Sequence, residues 1–277
     1  MRGIRYIPLT MIIVFLSACT GDAPTLHNDG TVLYADAGYY PSLQGNVWEY
    51  RVDSIRGGVT QQGAATLRAR TLGTFTNGDV EYRVQVNEIT QGMETEYDTL
   101  YVYKTEEGVR LSSPGLQSLS ELPDLPGITP GDIPRDFLVV PYATFQSTWD
   151  ILDIEFNQIP LLTIYFRLKG RYLGVSEAVT DLRTFPVCAR VQLIYEAQFP
   201  NPENPTDIFN PIRINETADF YYTRPQGLVL AEGSAAIFLL IRGGIPFERS
   251  YARVRQEITG MTITQPDPFC IDTPDTP

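Results

Sequence analysis

Short runs rich in valine, isoleucine, tyrosine and threonine, separated by glycine-containing turns, recur from residue 46 almost to the end of the chain. The clearest run is Val80–Ile89, where apolar residues (80, 82, 84 and 86) alternate with polar residues (81, 83, 85 and 87). Alternation with a period of two is typical of an antiparallel strand with one covered face and one wet face. Asn77-Gly78, just before this run, favours a hairpin turn because both residues tolerate positive φ. No long stretch has a helical period, so the sequence predicts a mostly β protein.

The same pattern predicts further strands along the chain. They cover residues 46–55, 64–72, 95–103, 148–156, 162–172, 187–199, 212–222, 227–231, 235–242 and 249–264. We expect one β domain at residues 39–271 and a disordered tail at residues 272–277. The expected fold is a single antiparallel, strongly bent sheet or open barrel of roughly ten to twelve strands, with a two-sheet β-sandwich as the alternative.

The N-terminus has the features of an export signal. Two arginines in the first five residues precede an apolar run from Tyr6 to Leu16, which is too short for the roughly 20 residues that cross a bilayer. The segment Leu16-Ser17-Ala18-Cys19 resembles the lipobox of bacterial lipoproteins. That resemblance implies that residues 1–18 are removed, that Cys19 carries acyl chains such as palmitate, and that residues 19–38 form a flexible tether. Cleavage after Ala18 without lipidation is the alternative.

The residue after the cysteine bears on location. Thr20 stands where an aspartate is found in some lipoproteins, and this resembles the pattern of those sent to the outer membrane. We therefore expect an exported protein of the periplasm and cell envelope, attached by its lipid to the outer membrane.

Charge and histidine content exclude several functions. The net charge is −12, and removal of Arg2 and Arg5 with the signal makes it more negative, so nucleic acid is a poor partner. His27, the single histidine, falls in the expected tether. A Ser-His-Asp or Cys-His arrangement and a histidine-based zinc site are therefore excluded from the β domain. We predict no catalytic residue, no enzyme activity and no cofactor.

The cysteine count fits an oxidising compartment. With Cys19 lipidated, Cys188 and Cys270 remain as an even pair, and we predict a disulfide between them. In the chain-entropy model, such a bridge contributes about 4 kcal/mol by closing a long loop. The alternative is two unrelated thiols.

Three segments resemble a known family. Residues 40–50 (Tyr-Pro-Ser-Leu-Gln-Gly-Asn-Val-Trp-Glu-Tyr) resemble the opening of a family of uncharacterised Gram-negative lipoproteins whose mature domains start P-L-x-x-G-x-x-W-x-Y. Residues 182–191 resemble the family's G-T-F-x-x-C-x-x-V strand, with Arg183 in place of the glycine. Residues 220–229 resemble its W/Y-Y-A-x-G-V-G-L-V hairpin, with 224–226 departing from the usual small residues. Because members of this family mostly lack assigned functions, the resemblance implies no activity.

A few residues are candidates for a site. Trp48 and Tyr50 share one strand face and either pack in the core or offer an aromatic platform. The apolar run Ala235–Ile241, including Phe238 and Leu240, is predicted to be a strand buried on both faces; alternatively it lines an apolar cavity or lies against lipid. We name Trp48, Tyr50, Phe238 and Leu240 as candidate ligand-binding residues.

Acidic residues supply two weaker candidates. Glu94, Glu96 and Asp98 alternate along one strand and form either a cation site or a solvated face. Asp150, Asp153 and Glu155 are candidates for a pair of carboxylates of the kind that glycosidases use.

The function expected from the sequence is non-catalytic: a membrane-anchored envelope lipoprotein with a structural or interaction role. The alternative is a carrier that binds a lipid or another hydrophobic ligand on the concave face of the sheet. The expected partners are the membrane, through the N-terminal lipid, and an envelope protein or a hydrophobic ligand.

Overall fold

The structure is a computed structural model that describes residues 32–33, 39–105, 107–112, 134, 136–141, 143–144, 146–159, 162–201, 204, 209–224, 226–242 and 253–264. The predicted signal, Cys19, His27, Cys270 and the C-terminal tail lie outside the described residues.

Strands make up most of this part of the chain, together with one described helix. The strands are β1 (Val32–Leu33), β2 (Val47–Arg56), β3 (Val59–Asn77), β4 (Val80–Gln91), β5 (Glu94–Thr105), β6 (Gly108–Ser112), β7 (Asp136–Pro141), β8 (Ala143–Thr144), β9 (Thr148–Ile159), β10 (Leu162–Val179), β11 (Thr184–Phe199), β12 (Ile212–Thr223), β13 (Gly227–Ser234) and β14 (Arg253–Thr262). The helix, α1, spans Ala235–Arg242 and lies between β13 and β14.

Twelve of these strands form one antiparallel sheet in the order β7-β6-β5-β4-β3-β2-β14-β13-β12-β11-β10-β9. The sheet bends into a nearly closed barrel with one unsealed seam. Most neighbours in the sheet are also neighbours in sequence, and the pairing of β14 with β2 joins the two halves of the chain. The prediction of one bent antiparallel sheet or open barrel is confirmed, and the two-sheet sandwich is not observed.

A short second sheet sits beside the main one. Val32 pairs with Thr144 and Leu33 with Ala143, which joins the segment before the barrel to the connection between β7 and β9. Tyr39, a few residues further on, is buried, and Tyr40 and Pro41 line the interior. The chain therefore enters the barrel at the end where β7 finishes and β9 begins.

The apolar run Ala235–Ile241 is a helix, so the prediction of a doubly buried strand there is wrong. The Ser234 hydroxyl accepts a hydrogen bond from the Ala236 N–H at 3.3 Å, as a helix cap does. Ile237 and Phe238 are fully buried against the sheet. A run that is apolar at every position fits a buried strand and a buried helix equally well, and here the space inside the barrel accommodates a helix.

The alternating strand β4 confirms the predicted period but reverses the expected faces. Gln85 lines the barrel interior and Asn87 is 1% exposed, whereas Tyr82 and Val84 lie on the outer face and are only partly buried. On the neighbouring strand, Leu100 is buried on the same inner face as Gln85. Polar groups are thus built into the interior of the barrel.

Among the described residues, no helix is long and apolar enough to cross a membrane.

Candidate functional site

The interior of the barrel contains an apolar cavity of about 60 Å³. Its wall comes from the inner faces of β2 to β7 and β11 to β13, and Ile241 of α1 contributes from inside. The lining side chains are mainly aromatic and aliphatic. They include Tyr40, Trp48, Tyr50, Leu100, Leu111, Phe137, Val139, Leu193, Phe220, Tyr222 and Ile241.

Two of the predicted ligand-binding residues line this cavity. Trp48 and Tyr50 alternate along β2 and both point inward, since each is about 95% buried. The Trp48 Nε1–H donates to the Gln226 carbonyl at 2.7 Å, and the Tyr50 hydroxyl donates to the Leu228 carbonyl at 2.9 Å. Because the polar atoms of both rings are bonded to backbone, their faces offer apolar surface to the cavity.

The other two predicted residues do not line the cavity. Phe238 packs against Phe220, with ring centroids 5.6 Å apart, and is buried between α1 and the sheet. Leu240 is partly buried and packs against the core. Ile241, one residue later, is the helix side chain that reaches the cavity.

Three polar side chains that are hydrogen-bonded in a row, Tyr40, Gln85 and Asn87, border the cavity and are called the polar ladder here. The Tyr40 hydroxyl donates to the Gln85 Oε1 at 3.2 Å, and the Gln85 Nε2 donates to the Asn87 Oδ1 at 3.0 Å. Within the described part of the chain, the buried Asn87 Nδ2 has no hydrogen-bond partner. Burial of an amide hydrogen without a partner costs about 1–3 kcal/mol. The ladder therefore offers hydrogen-bonding groups at the edge of an otherwise apolar site.

The acidic candidates are the residues named for a cation site on β5 and for a pair of carboxylates on β9. Glu94, Glu96 and Asp98 share a face of β5, but the described residues include no group of three or more acidic, histidine or cysteine side chains that could hold a metal ion. Asp153 and Glu155 are both paired with Arg167, each at 2.9 Å, on the outer surface. Asp153 and Glu155 therefore belong to a surface ion-pair group with Arg167.

Cys188 is a buried free thiol in the structure, and it donates a weak hydrogen bond to the Phe185 carbonyl at 3.6 Å. Burial raises the pKa of this thiol to about 12. Its predicted partner, Cys270, lies outside the described residues, so the disulfide stays a prediction.

Sequence reasoning missed residues at the site, including Tyr40 and Phe137, whereas Ile241 belongs to the run that it named as an alternative cavity lining. Each missed residue has an ordinary apolar or aromatic context in the sequence, and the cavity brings together segments that are far apart along the chain. No short-range signal identifies such residues.

The fold and the cavity together define a class: a nearly closed antiparallel β-barrel with a small aromatic-lined interior site and an internal helix. No family model and no curated protein matches the sequence. Among solved structures, a candidate lipoprotein from Parabacteroides distasonis is similar over 81% of this chain and 98% of its own, with 14% identity and a TM-score of 0.45. A candidate exported protein with a YmcC-like fold from Bacteroides fragilis is similar over 82% of this chain and 99% of its own, with 9% identity and a TM-score of 0.42. With TM-scores this low, neither similarity decides what this chain does.

Proposed function

We propose that this chain is an exported lipoprotein, held at the envelope by acyl chains on Cys19, whose barrel interior binds the apolar part of a lipid-like ligand. The observation that carries the binding role is the apolar cavity lined by Trp48, Tyr50 and Ile241. The export signal and the lipobox resemblance support the anchoring role. Outer-membrane attachment belongs to the same proposal.

The size of the cavity limits the ligand. A volume of about 60 Å³ is room for roughly four water-sized groups. The end of an acyl chain fits this space, and each methylene that leaves water contributes about 0.8 kcal/mol. A longer chain needs more room, and Ile241 at the end of α1 is the helix side chain whose movement would provide it, because it lines the cavity.

The polar ladder contributes little to binding of a ligand. Tyr40 and Gln85 line the cavity, but the Tyr40 hydroxyl donates to Gln85 and the Gln85 amide donates to Asn87, which is not among the lining residues. The cavity therefore offers mainly apolar surface, which suits the hydrocarbon end of a fatty acid or a lipid ester rather than its polar end.

Fluorescence quenching tests the binding role. The chain has two tryptophans, so Trp149→Phe leaves Trp48 as the single reporter inside the cavity. Titration with a dibrominated 18-carbon fatty acid should quench Trp48 saturably. Ala69→Leu in the same background fills the cavity and should weaken the apparent affinity at least tenfold, whereas Thr66→Leu adds the same side chain to the outer face of the strand and should not.

Two outcomes would overturn binding in the cavity. One is quenching of Trp48 that does not saturate. The other is an unchanged apparent affinity in Ala69→Leu when circular dichroism shows that this variant is folded. In that case, the structural or interaction role predicted from the sequence stands in its place. Native mass spectrometry of protein extracted from its own envelope then looks for a protein partner.

A further inference from the structure

The seam of the barrel lies between β7 and β9, the two strands at the ends of the sheet order. A groove of about 640 Å³ runs along it. Its lining combines charged residues with apolar ones, and these are Glu107, Arg110, Pro134, Asp136, Phe137, Leu138, Trp149, Asp150 and Ile151.

One side chain bridges the seam. Trp149 lies at the start of β9, and its Nε1–H donates to the Leu138 carbonyl of β7 at 3.0 Å. The indole lies over Gly170 of β10, where a Cβ would come within 2.1 Å of the ring carbons. Only a glycine at position 170 leaves room for the ring in this position. At this height, β7 and β9 are therefore joined by a side-chain hydrogen bond, whereas the other neighbours in the sheet are joined by ladders of backbone hydrogen bonds.

The groove and the interior cavity are separated by very little. Phe137 lines both of them, and Leu138, the acceptor of the Trp149 hydrogen bond, is the next residue of β7. Movement of Trp149 and Phe137 would join the two spaces.

The outer lip of the groove is polar. Arg110 pairs with Asp136 at 2.9 Å and with Glu107 at 2.7 Å, and Asp150 faces the same groove from β9. A lip of this kind is hydrated and can hold a polar headgroup in water, while the apolar residues behind it accept a hydrocarbon chain.

From this geometry, we propose that the seam is a side entrance to the interior cavity and that Trp149 is its gate. A single-chain amphiphile would enter tail first between β7 and β9, with its polar end left at the charged lip. This inference rests on the proposed function for its ligand, but the opening of the seam can be measured without one.

The first test uses acrylamide, a small neutral quencher, on Trp48 as the single tryptophan. Trp149→Phe removes the hydrogen bond to Leu138 but keeps an aromatic ring on β9, which should still cover the seam, so the buried Trp48 should be quenched weakly. In Trp149→Ala the gate is removed, and the Stern–Volmer constant of Trp48 should rise at least threefold.

Leu168→Ala in the Trp149→Phe background is the matched control. Leu168 is fully buried on β10, two residues from Gly170, so its truncation costs packing without opening the seam. If Trp149→Ala raises quenching no more than Leu168→Ala does, the increase reflects general loosening and the gate is disproved. Circular dichroism establishes that each variant is folded.

The second test follows the brominated fatty acid by stopped flow. Relative to Trp149→Phe, Trp149→Ala should speed both association and dissociation at least tenfold and change the Kd less than threefold. Unchanged rates overturn the gate even if binding occurs. If no variant binds the fatty acid, the proposed function fails, and the acrylamide result alone still decides whether the seam opens to the cavity.

Discussion

At the scale of single residues, two positions require glycine because neighbouring atoms leave no room for a side chain. Gly170 leaves space for Trp149, and Gly233 on β13 sits against the backbone of β12. A Cβ at position 233 would lie 2.3 Å from the Ala218 Cα and 2.4 Å from the Thr217 carbonyl oxygen, and its φ of +152° disfavours other residues. A flexible ring can move away from an added methyl group, but a strand held by its ladder cannot.

Gly233→Ala should therefore lower the free energy of unfolding by about 2–4 kcal/mol, as measured by urea denaturation. Gly73→Ala is the control, because nothing lies within 4 Å of a Cβ there and its φ is not positive. Its expected effect is within about 0.5 kcal/mol. Equal effects of the two substitutions would contradict the steric explanation.

Cys188 supplies a second prediction at this scale. Its thiol is fully buried and burial raises its pKa to about 12, so iodoacetamide at pH 8 should not modify it in the native protein. In denaturant without reductant, mass spectrometry then distinguishes the two alternatives for this residue. Modification shows a free thiol, and protection that is lost on reduction shows the predicted bridge to Cys270.

At the scale of elements, the long hairpin of β10 and β11 extends beyond its neighbours and its tip reaches the outer face of the sheet. The Arg255 Nη2 donates to the Val179 carbonyl at 2.8 Å, and Arg51 donates to the Asp181 carboxylate. The same two arginines hold the buried Glu257, at 2.7 Å from Arg51 and 3.1 Å from Arg255. The hairpin tip is thus attached to β14 and β2, which are four and five positions from β10, respectively, in the sheet order.

Asp181→Asn tests this attachment through pH. The hydrogen bond from Arg51 lowers the pKa of Asp181 below its ordinary value. A lowered pKa means that the stabilisation is fully present above the ordinary aspartate pKa and is lost as the pH falls through the lowered one. Asp181→Asn should lower the Tm at pH 7 and leave it nearly unchanged at pH 2, and an equal loss at both pH values would contradict the pairing.

At the scale of the whole molecule, the described chain begins beside one end of the seam. Val32 and Leu33 pair with β8, between the two edge strands. Cys19 lies thirteen residues earlier, a length that spans at most about 45 Å when fully extended. An acylated Cys19 would therefore keep the entrance of the seam close to the bilayer that holds the lipid.

Cys19→Ala should move the protein from the membrane fraction to the soluble fraction, as measured by immunoblotting after fractionation. The reason is that the proposed acyl chains on Cys19 would be the hydrocarbon that holds the chain in the bilayer. The barrel variant Ala69→Leu is the control and should stay with the membrane. Retention of Cys19→Ala in the membrane fraction would contradict anchoring through this residue.

The sequence alone predicted most of the strands, because the period of two and the turn residues are local properties of the chain, but it missed the short strands β6 and β7 at one edge of the main sheet. Val80–Ile89 was recognised as a strand for this reason, and the bounds of β2, β4 and β5 lie close to those predicted. The lipobox resemblance at Cys19 is local in the same sense and stays a prediction, since it lies outside the described residues. Trp48 and Tyr50 were identified as neighbours on one face by the same alternation.

The tertiary structure decided which face of each strand lies inside, because alternation marks two faces without saying which one the curved sheet encloses. It placed Gln85 and Asn87 in the interior and made Ala235–Ile241 a helix, since the space left inside the barrel determines what a uniformly apolar run becomes. It also created the seam, the cavity and the Trp149 bridge from segments distant in sequence. Local periodicity determined the strands of this protein, and closure of the sheet, which depends on contacts across the whole chain, determined its site.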